Sequence, residues 1–177
     1  MSKVCKNCNG TGKILDRIIP FGIGSMGMGL PASLGFALSK KMKGEKGKIY
    51  CLMSDGEMNC GTTWESALIA VHHRLRSLTV IVDCNGLQAM GKIKDILNIE
   101  SLANKWRSFG WHVDETDGHD FSLLEKSLFF SEEVNQPRII LAKTIKGKGW
   151  KRAENNNLYH YKQLSKEEYK EALNELK

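Results

Sequence analysis

Apolar residues gather in two short unbroken runs near the middle of the chain, Ile49-Tyr50-Cys51-Leu52-Met53 and Leu78-Thr79-Val80-Ile81-Val82. Each run is closed by a turn, Asp55-Gly56-Glu57 after the first and Asn85-Gly86-Leu87 after the second. Runs this short, bounded by glycine turns, read as buried strands. Between them, Thr62 to Leu75 is apolar on one face and long enough for a helix, so the interval predicts strand, helix and return strand. A crossover of roughly 30 residues brings the chain back parallel to itself, with both turns at the same edge of one sheet. Asp55 and Asn85 are therefore expected to be neighbours.

The flanking pattern extends this unit. Leu30 to Lys43 predicts a helix, with Pro31 in its first turn, Leu34, Ala37, Leu38 and Met42 at helical spacing, and Gly44 as its stop. An ordered loop is expected from the second strand through Gly91. Leu102 to Phe109 reads as a helix, Trp111 to Val113 as a strand, Phe121 to Phe130 as a helix, and Arg138 to Thr144 as another buried strand. Ser165 and Glu168 form a capping box ahead of a C-terminal helix over 165–177. The alternation predicts the α/β class, a doubly wound parallel sheet. Residues 1–20 read as an irregular segment ahead of one domain spanning 21–177.

Composition narrows the partners. With 177 residues and 41% hydrophobic content the chain can bury one full core. The net charge of +6 is spread over Lys40 to Lys48, Lys143 to Arg152 and the C-terminal helix. It suits a phosphate-bearing cofactor or an acidic partner, and without a basic helix interleaved with aromatics it does not imply nucleic acid. No run approaches the roughly 20 apolar residues that span a bilayer, and Met1 to Cys5 lacks a signal core, so a cytoplasmic protein away from membranes is expected. The five cysteines, Cys51 and Cys84 among them, are expected as reduced thiols.

The paired turns carry the chemistry. A carboxylate, an amide oxygen and a turn carbonyl at adjacent strand ends make a hard-oxygen site suited to Mg²⁺, with phosphate oxygens completing the octahedron. Gly56 lets backbone approach a phosphate, and the helix after Gly61 adds its positive end. Either dipeptide alone is a common turn; their joint placement is what signals a site. Several other motifs are weaker. Gly22-Ile23-Gly24-Ser25-Met26-Gly27 satisfies a dinucleotide fingerprint, which would make the chain an oxidoreductase with Asp55 as the ribose-binding acid. The charges and proline between Ile14 and Pro20 are unlike the buried strand that fingerprint requires. Gly10-Thr11-Gly12-Lys13 lacks the spacing of a phosphate loop, and Cys5 with Cys8 is only half of a zinc site. His72, His73, His112 and His119 read as packing or surface residues.

Four segments together resemble the transketolase family of thiamine diphosphate enzymes. Gly24-Ser25-Met26-Gly27-Met28-Gly29-Leu30 resembles its glycine-rich loop, and Ser54-Asp55-Gly56-Glu57 stands where its Gly-Asp-Gly sequence begins. Asp83-Cys84-Asn85-Gly86-Leu87-Gln88 resembles the second half of that cofactor motif, and Lys143-Thr144-Ile145-Lys146-Gly147-Lys148-Gly149 a late signature. The likeness runs from Gly24 to Leu173 and implies a thiamine diphosphate-binding fold of the diphosphate type. It implies that Asp55 and Asn85 hold Mg²⁺ through side-chain oxygens and Leu87 through its carbonyl, with Gly56, Glu57 and Asn85 beside the diphosphate. Gly24 and Met26 would border the cofactor's rings. His160 matches a family histidine near the diphosphate and the substrate entry, and Glu65 an acid used at the dimer interface; both are candidate catalytic residues.

The implied activity transfers a two-carbon ketol unit from a ketose to an aldose, both phosphorylated sugars, with the cofactor's ring as electron sink. This chain resembles the diphosphate-binding N-terminal subunit of a split enzyme, in a form whose N-terminal section is shortened. The pyrimidine-binding C-terminal subunit would supply the activating glutamate, in a dimer of heterodimers. Cys60 stands where the family usually has a glutamate tied to coupling between paired sites. A non-catalytic or decayed thiamine diphosphate-binding scaffold is the alternative that these departures encourage.

Overall fold

The computed structural model describes residues 22–129 and 135–176. Helix α1 (Gly29–Lys43) forms where Leu30, Leu34 and Ala37 fall at i, i+4 and i+7 and bury one stripe. It ends at Gly44, whose φ of 66° lets its N–H reach back to the Lys40 and Lys41 carbonyls. Lys40, Lys41 and Lys43 in the last turn complement the negative helix end. Strand β1 (Ile49–Ser54) follows, then a 3₁₀ turn (Asp55–Asn59), helix α2 (Gly61–His72) and strand β2 (Leu78–Cys84). On α2 the buried face is Thr63, Ser66, Ala67 and Ala70, small side chains that let the helix lie close to its neighbours.

The segment expected as a loop after β2 contains a small hairpin, β3 (Leu87–Gln88) with β4 (Gly91–Lys92), and a single turn α3 (Ile93–Ile96). Helix α4 (Leu102–Ser108) is capped by Ser101, whose hydroxyl accepts from the Asn104 N–H. Strand β5 (His112–Asp117) is longer than its apolar start predicts, because Asp114 to Asp117 pair along β6 (Arg138–Lys143) in spite of their polarity. An edge strand tolerates such residues, and Asp114 accepts a hydrogen bond from Arg138 Nε at 2.5 Å. Helix α5 (Phe121–Leu128) lies between these strands in sequence. The chain closes with a second 3₁₀ turn (Asn157–His160) and α6 (Lys166–Glu175), where Ser165 and Glu168 form the expected capping box.

The four long strands make one parallel sheet in the order β1-β2-β6-β5. Steps from β1 to β2 and from β2 to β5 run one way and the step to β6 runs back, so right-handed crossovers put α2 and α4 on one face and α5 on the other. Cys51, Met53, Val80, Val82, Ile139 and Leu141 share the α2 face by register and are buried. Burying side chains of this size contributes about 1.5–3 kcal/mol each. The opposite face is covered at its β5 end, and among the described residues nothing covers it over β1, where Tyr50 is 47% and Leu52 74% exposed. Among the described residues no helix is long and apolar enough to cross a membrane.

An aromatic cluster fastens α2 to α4. Trp106 is fully buried, with ring centroids 5.1 Å from Trp64 and 4.9 Å from Trp111. Trp64 Nε1 donates to the Met58 carbonyl at 2.9 Å, tying the cluster to the turn after β1, and Trp111 Nε1 donates to Ala67 at 3.1 Å. Trp106→Ala is expected to cost about 3–5 kcal/mol, read from urea unfolding. An unchanged urea midpoint would show that the cluster is not the keystone of this layer.

Candidate functional site

The register of the two strands builds the site. Ser54 pairs with Asp83, so Asp55 and Asn85 emerge side by side at the carboxyl edge of the sheet. The contact is direct, since the Gly86 N–H donates to Asp55 Oδ2 at 2.7 Å. Gly86 holds a φ of 74°, which suits glycine in so tight a turn, and the Leu87 N–H donates to Asn85 Oδ1 at 2.9 Å. Asp55 is buried, yet its second oxygen, Oδ1, has no hydrogen-bond partner. A buried, unpaired carboxylate oxygen is costly unless something positive meets it.

Electrostatics say the same. Burial pushes the Asp55 carboxyl up to about 6, the Asp83 charge adds to the rise, and the Gly86 and Gly56 amides oppose it. Next to it the Cys84 thiol is pushed up to about 12 by burial and by the Asp55 and Asp83 charges, so it stays protonated. These groups line a cavity of about 630 Å³ at the strand ends, walled by Asp55, Asn85, Leu87, Lys92, Lys143 and Asn155. Three lysines, Lys92, Lys94 and Lys143, and three acids, Asp55, Glu100 and Glu115, share its wall, so charges of both signs meet at the strand ends. Among the described residues no group of three or more His, Cys, Asp or Glu side chains could form a metal site. Any divalent ion here would rest on one carboxylate, an amide oxygen and a carbonyl, a donor set suited to a hard cation that also binds phosphate oxygens.

The other predicted residues fall in three places. Gly56 is buried, and a Cβ there would lie 3.4 Å from Met26 Cε and 3.5 Å from Gln88 Cγ, so Met26 and the β3 hairpin close over the turn. Glu57 turns its carboxylate back to the backbone, accepting from the Gly27 N–H at 2.9 Å and the Ser54 N–H at 3.2 Å. Gly24 is exposed on the approach to α1. His160 stands exposed on the second 3₁₀ turn, which docks on the hairpin through Asn157 Nδ2 and the Ala89 carbonyl at 2.7 Å. Glu65 is on the outer side of α2 beside exposed Leu68 and Ile69, and does not line the cavity. Cys5 and Cys8 lie outside the described residues.

Two features had no counterpart in the sequence pattern. Lys146 Nζ sits 3.4 Å from His160 Nδ1, joining the late lysine motif to the histidine. Its position inside the Lys-Thr-Ile-Lys-Gly run was the available signal. Glu168 also anchors the His160 segment, accepting from Tyr159 Oη at 3.1 Å and from Lys162 Nζ at 2.5 Å. Lys162 and the Ser165 amide hold the Glu168 carboxyl down to about 2. Tyr159 and Lys162 flank His160, so the C-terminal helix fixes where that histidine stands.

Comparison with known proteins places the chain in a family. Residues 16–176 match the model of the transketolase, thiamine diphosphate binding domain. The chain is 39% identical over 154 residues to an apulose-4-phosphate transketolase subunit from Actinobacillus succinogenes, covering 87% of this chain and 56% of that protein. It is 37% identical to the 6-deoxy-6-sulfo-D-fructose transketolase subunit SqwG of a Clostridium species, covering 86% and 56%. The chain thus spans about half the length of the curated relatives it matches. Among solved structures, the transketolase of Campylobacter jejuni superposes with a TM-score of 0.81 at 28% identity, covering 86% of this chain and 25% of that one.

The unpaired oxygen has a measurable consequence. Because folding raises the Asp55 pKa from 3.8 to about 6, the group's stabilising contribution is full below pH 3.8 and lost as pH rises through 6. In chelator, Asp55→Asn should therefore be more stable than wild type at pH 7.5, on the order of 2 kcal/mol, with the gap closing toward pH 4. Urea titrations at the two pH values check this, and equal midpoints at pH 7.5 would contradict it.

Proposed function

The chain belongs to the transketolase thiamine diphosphate-binding domain family, and from that premise we propose that it is the diphosphate- and Mg²⁺-binding subunit of a two-chain transketolase-like enzyme. In this reading Asp55 and Asn85 hold the ion through side-chain oxygens and Leu87 holds it through its carbonyl. The observation that carries the proposal is the buried, unpartnered Asp55 Oδ1 beside the Asn85 turn. A divalent cation there would remove the cost of the unpaired carboxylate, and its remaining positions would suit diphosphate oxygens.

This chain's share of the work is anchoring and orientation. Gly56, without a side chain, lets the backbone lie against the diphosphate, and Lys146 paired with His160 is assigned to the approach of the phosphorylated substrate. Gly24 and Met26 border the rings. The bound cofactor would supply an electron sink for breaking and forming a carbon–carbon bond, which no side chain here provides. Glu65, on the outer side of α2, faces an intersubunit contact in this assignment. The Actinobacillus and Clostridium relatives are each named as one subunit of a transketolase, which supports a partner chain; in this reading that partner binds the pyrimidine and the two chains assemble as a dimer of heterodimers. Phosphorylated ketoses and aldoses are the proposed substrates.

Calorimetric titration of thiamine diphosphate with Mg²⁺, with and without the candidate partner chain, tests the assignment. Ketol transfer is expected only from the mixture, and Asp55→Ala should abolish Mg²⁺-dependent cofactor retention. Retention equal to wild type in that variant would remove Asp55 from the site and the proposal with it.

A further inference from the structure

The glycine-rich segment is not held by its own sequence. Gly27 is buried at a φ of 76°, with its N–H donating to Glu57 Oε2 at 2.9 Å and its carbonyl accepting from Thr62 Oγ1 at 2.8 Å. The other Glu57 oxygen, Oε1, accepts from the Ser54 N–H at 3.2 Å, and the Glu57 carbonyl accepts from Thr63 Oγ1 at 2.9 Å. The contact leaves no slack, because a Cβ on Gly27 would fall 2.6 Å from Cys60 Cβ and 2.6 Å from Thr62 Oγ1. One carboxylate thus ties the end of β1, the turn that carries Asp55 and the loop that carries Met26.

We propose that Glu57 is a positioning residue that clasps the glycine-rich loop onto the metal-binding turn, with Thr62 as its second jaw, rather than a ligand of the diphosphate. This rests on the functional reading above. Both Glu57 oxygens are committed to backbone amides, and a free carboxylate facing a diphosphate would repel it. Two amide donors from distant segments need two acceptors on one side chain. A carboxylate supplies both, whereas a glutamine has one oxygen and would set its NH₂ against the other N–H. The bonds to Gly27 fix the loop that borders the cofactor's rings, whereas Asp55, at the start of the same turn, is held to the second turn by the Gly86 amide, so the two contributions can be separated by ligand.

The test uses the full chain and two variants, Glu57→Gln and Thr62→Val. Native-state hydrogen exchange reports the clasp itself. The Gly27 amide should exchange at least about tenfold faster in either variant while the Val80 amide in the central strand is unchanged. Titrations at saturating Mg²⁺ then compare thiamine diphosphate with inorganic pyrophosphate, which lacks the rings. Both variants should bind thiamine diphosphate about tenfold more weakly and pyrophosphate within about twofold of wild type, a split that general destabilisation would not produce. Unaltered Gly27 exchange, unaltered thiamine diphosphate affinity, or pyrophosphate affinity falling in step would each overturn the proposal. A wild-type chain that takes up neither ligand overturns the functional reading and this proposal with it, whereas variants that behave as wild type against a binding wild type overturn this proposal alone.

Discussion

One hydrogen bond, from the Gly86 amide to the Asp55 carboxylate, joins the turns after two parallel strands, and the rest of the site is arranged around it. It exists because β1 and β2 are in a register that pairs Ser54 with Asp83. A slip of one residue would turn each side chain to the other face of the sheet and carry Asp55 away from Asn85. The buried core therefore protects the site indirectly. Leu78, Val80 and Val82 lose all exposure only in this register, and the apolar area they bury holds the two turns at the same height.

A buried carboxylate oxygen without a partner is a cost that a structural role would not explain. The Gly86 and Gly56 amides relieve it only in part: Asp83 raises the Asp55 pKa further, and the nearby thiol of Cys84 is itself uncharged. The loops around it are fastened from behind. Glu57 holds the glycine-rich segment through Gly27, and Glu168 holds the His160 segment through Tyr159 and Lys162. Both acids spend their charge on positioning protein groups, whereas Asp55, on the cavity wall, keeps one buried oxygen without a partner. Strain at the centre and order at the rim are what a preorganised anion and cation site requires.

The sheet is covered unevenly. Parallel sheets are ordinarily packed on both faces, yet among the described residues nothing covers the face away from α1 and α2 over β1, where Tyr50 and Leu52 are exposed. Exposed Leu68 and Ile69 on α2 lie near Glu65 in sequence and add apolar surface on the other side. The relatives that this chain matches are almost twice the matched length.

Much was legible from local pattern. Short apolar runs closed by Asp-Gly and Asn-Gly specify strands and turns because periodicity and turn chemistry are local properties, and a 30-residue crossover forces neighbouring ends. The α1 stop at Gly44 and the capping box at Ser165 and Glu168 were equally local. The polar length of β5, the small hairpin after Asn85 and the two 3₁₀ turns were not, since each is settled by pairing or docking against residues far along the chain. The same holds within the site. Residue types alone put Asp55, Asn85 and Leu87 together, but only the folded chain sent Glu57 to Gly27 instead of the cavity and brought Lys146 to His160. Sequence determined which chemical groups this protein has and that the two turns would meet, because strand direction follows from spacing. Tertiary structure decided which groups are satisfied by the protein's own backbone and that Asp55 Oδ1 is among those that are not, because hydrogen-bond partners are chosen by proximity in space.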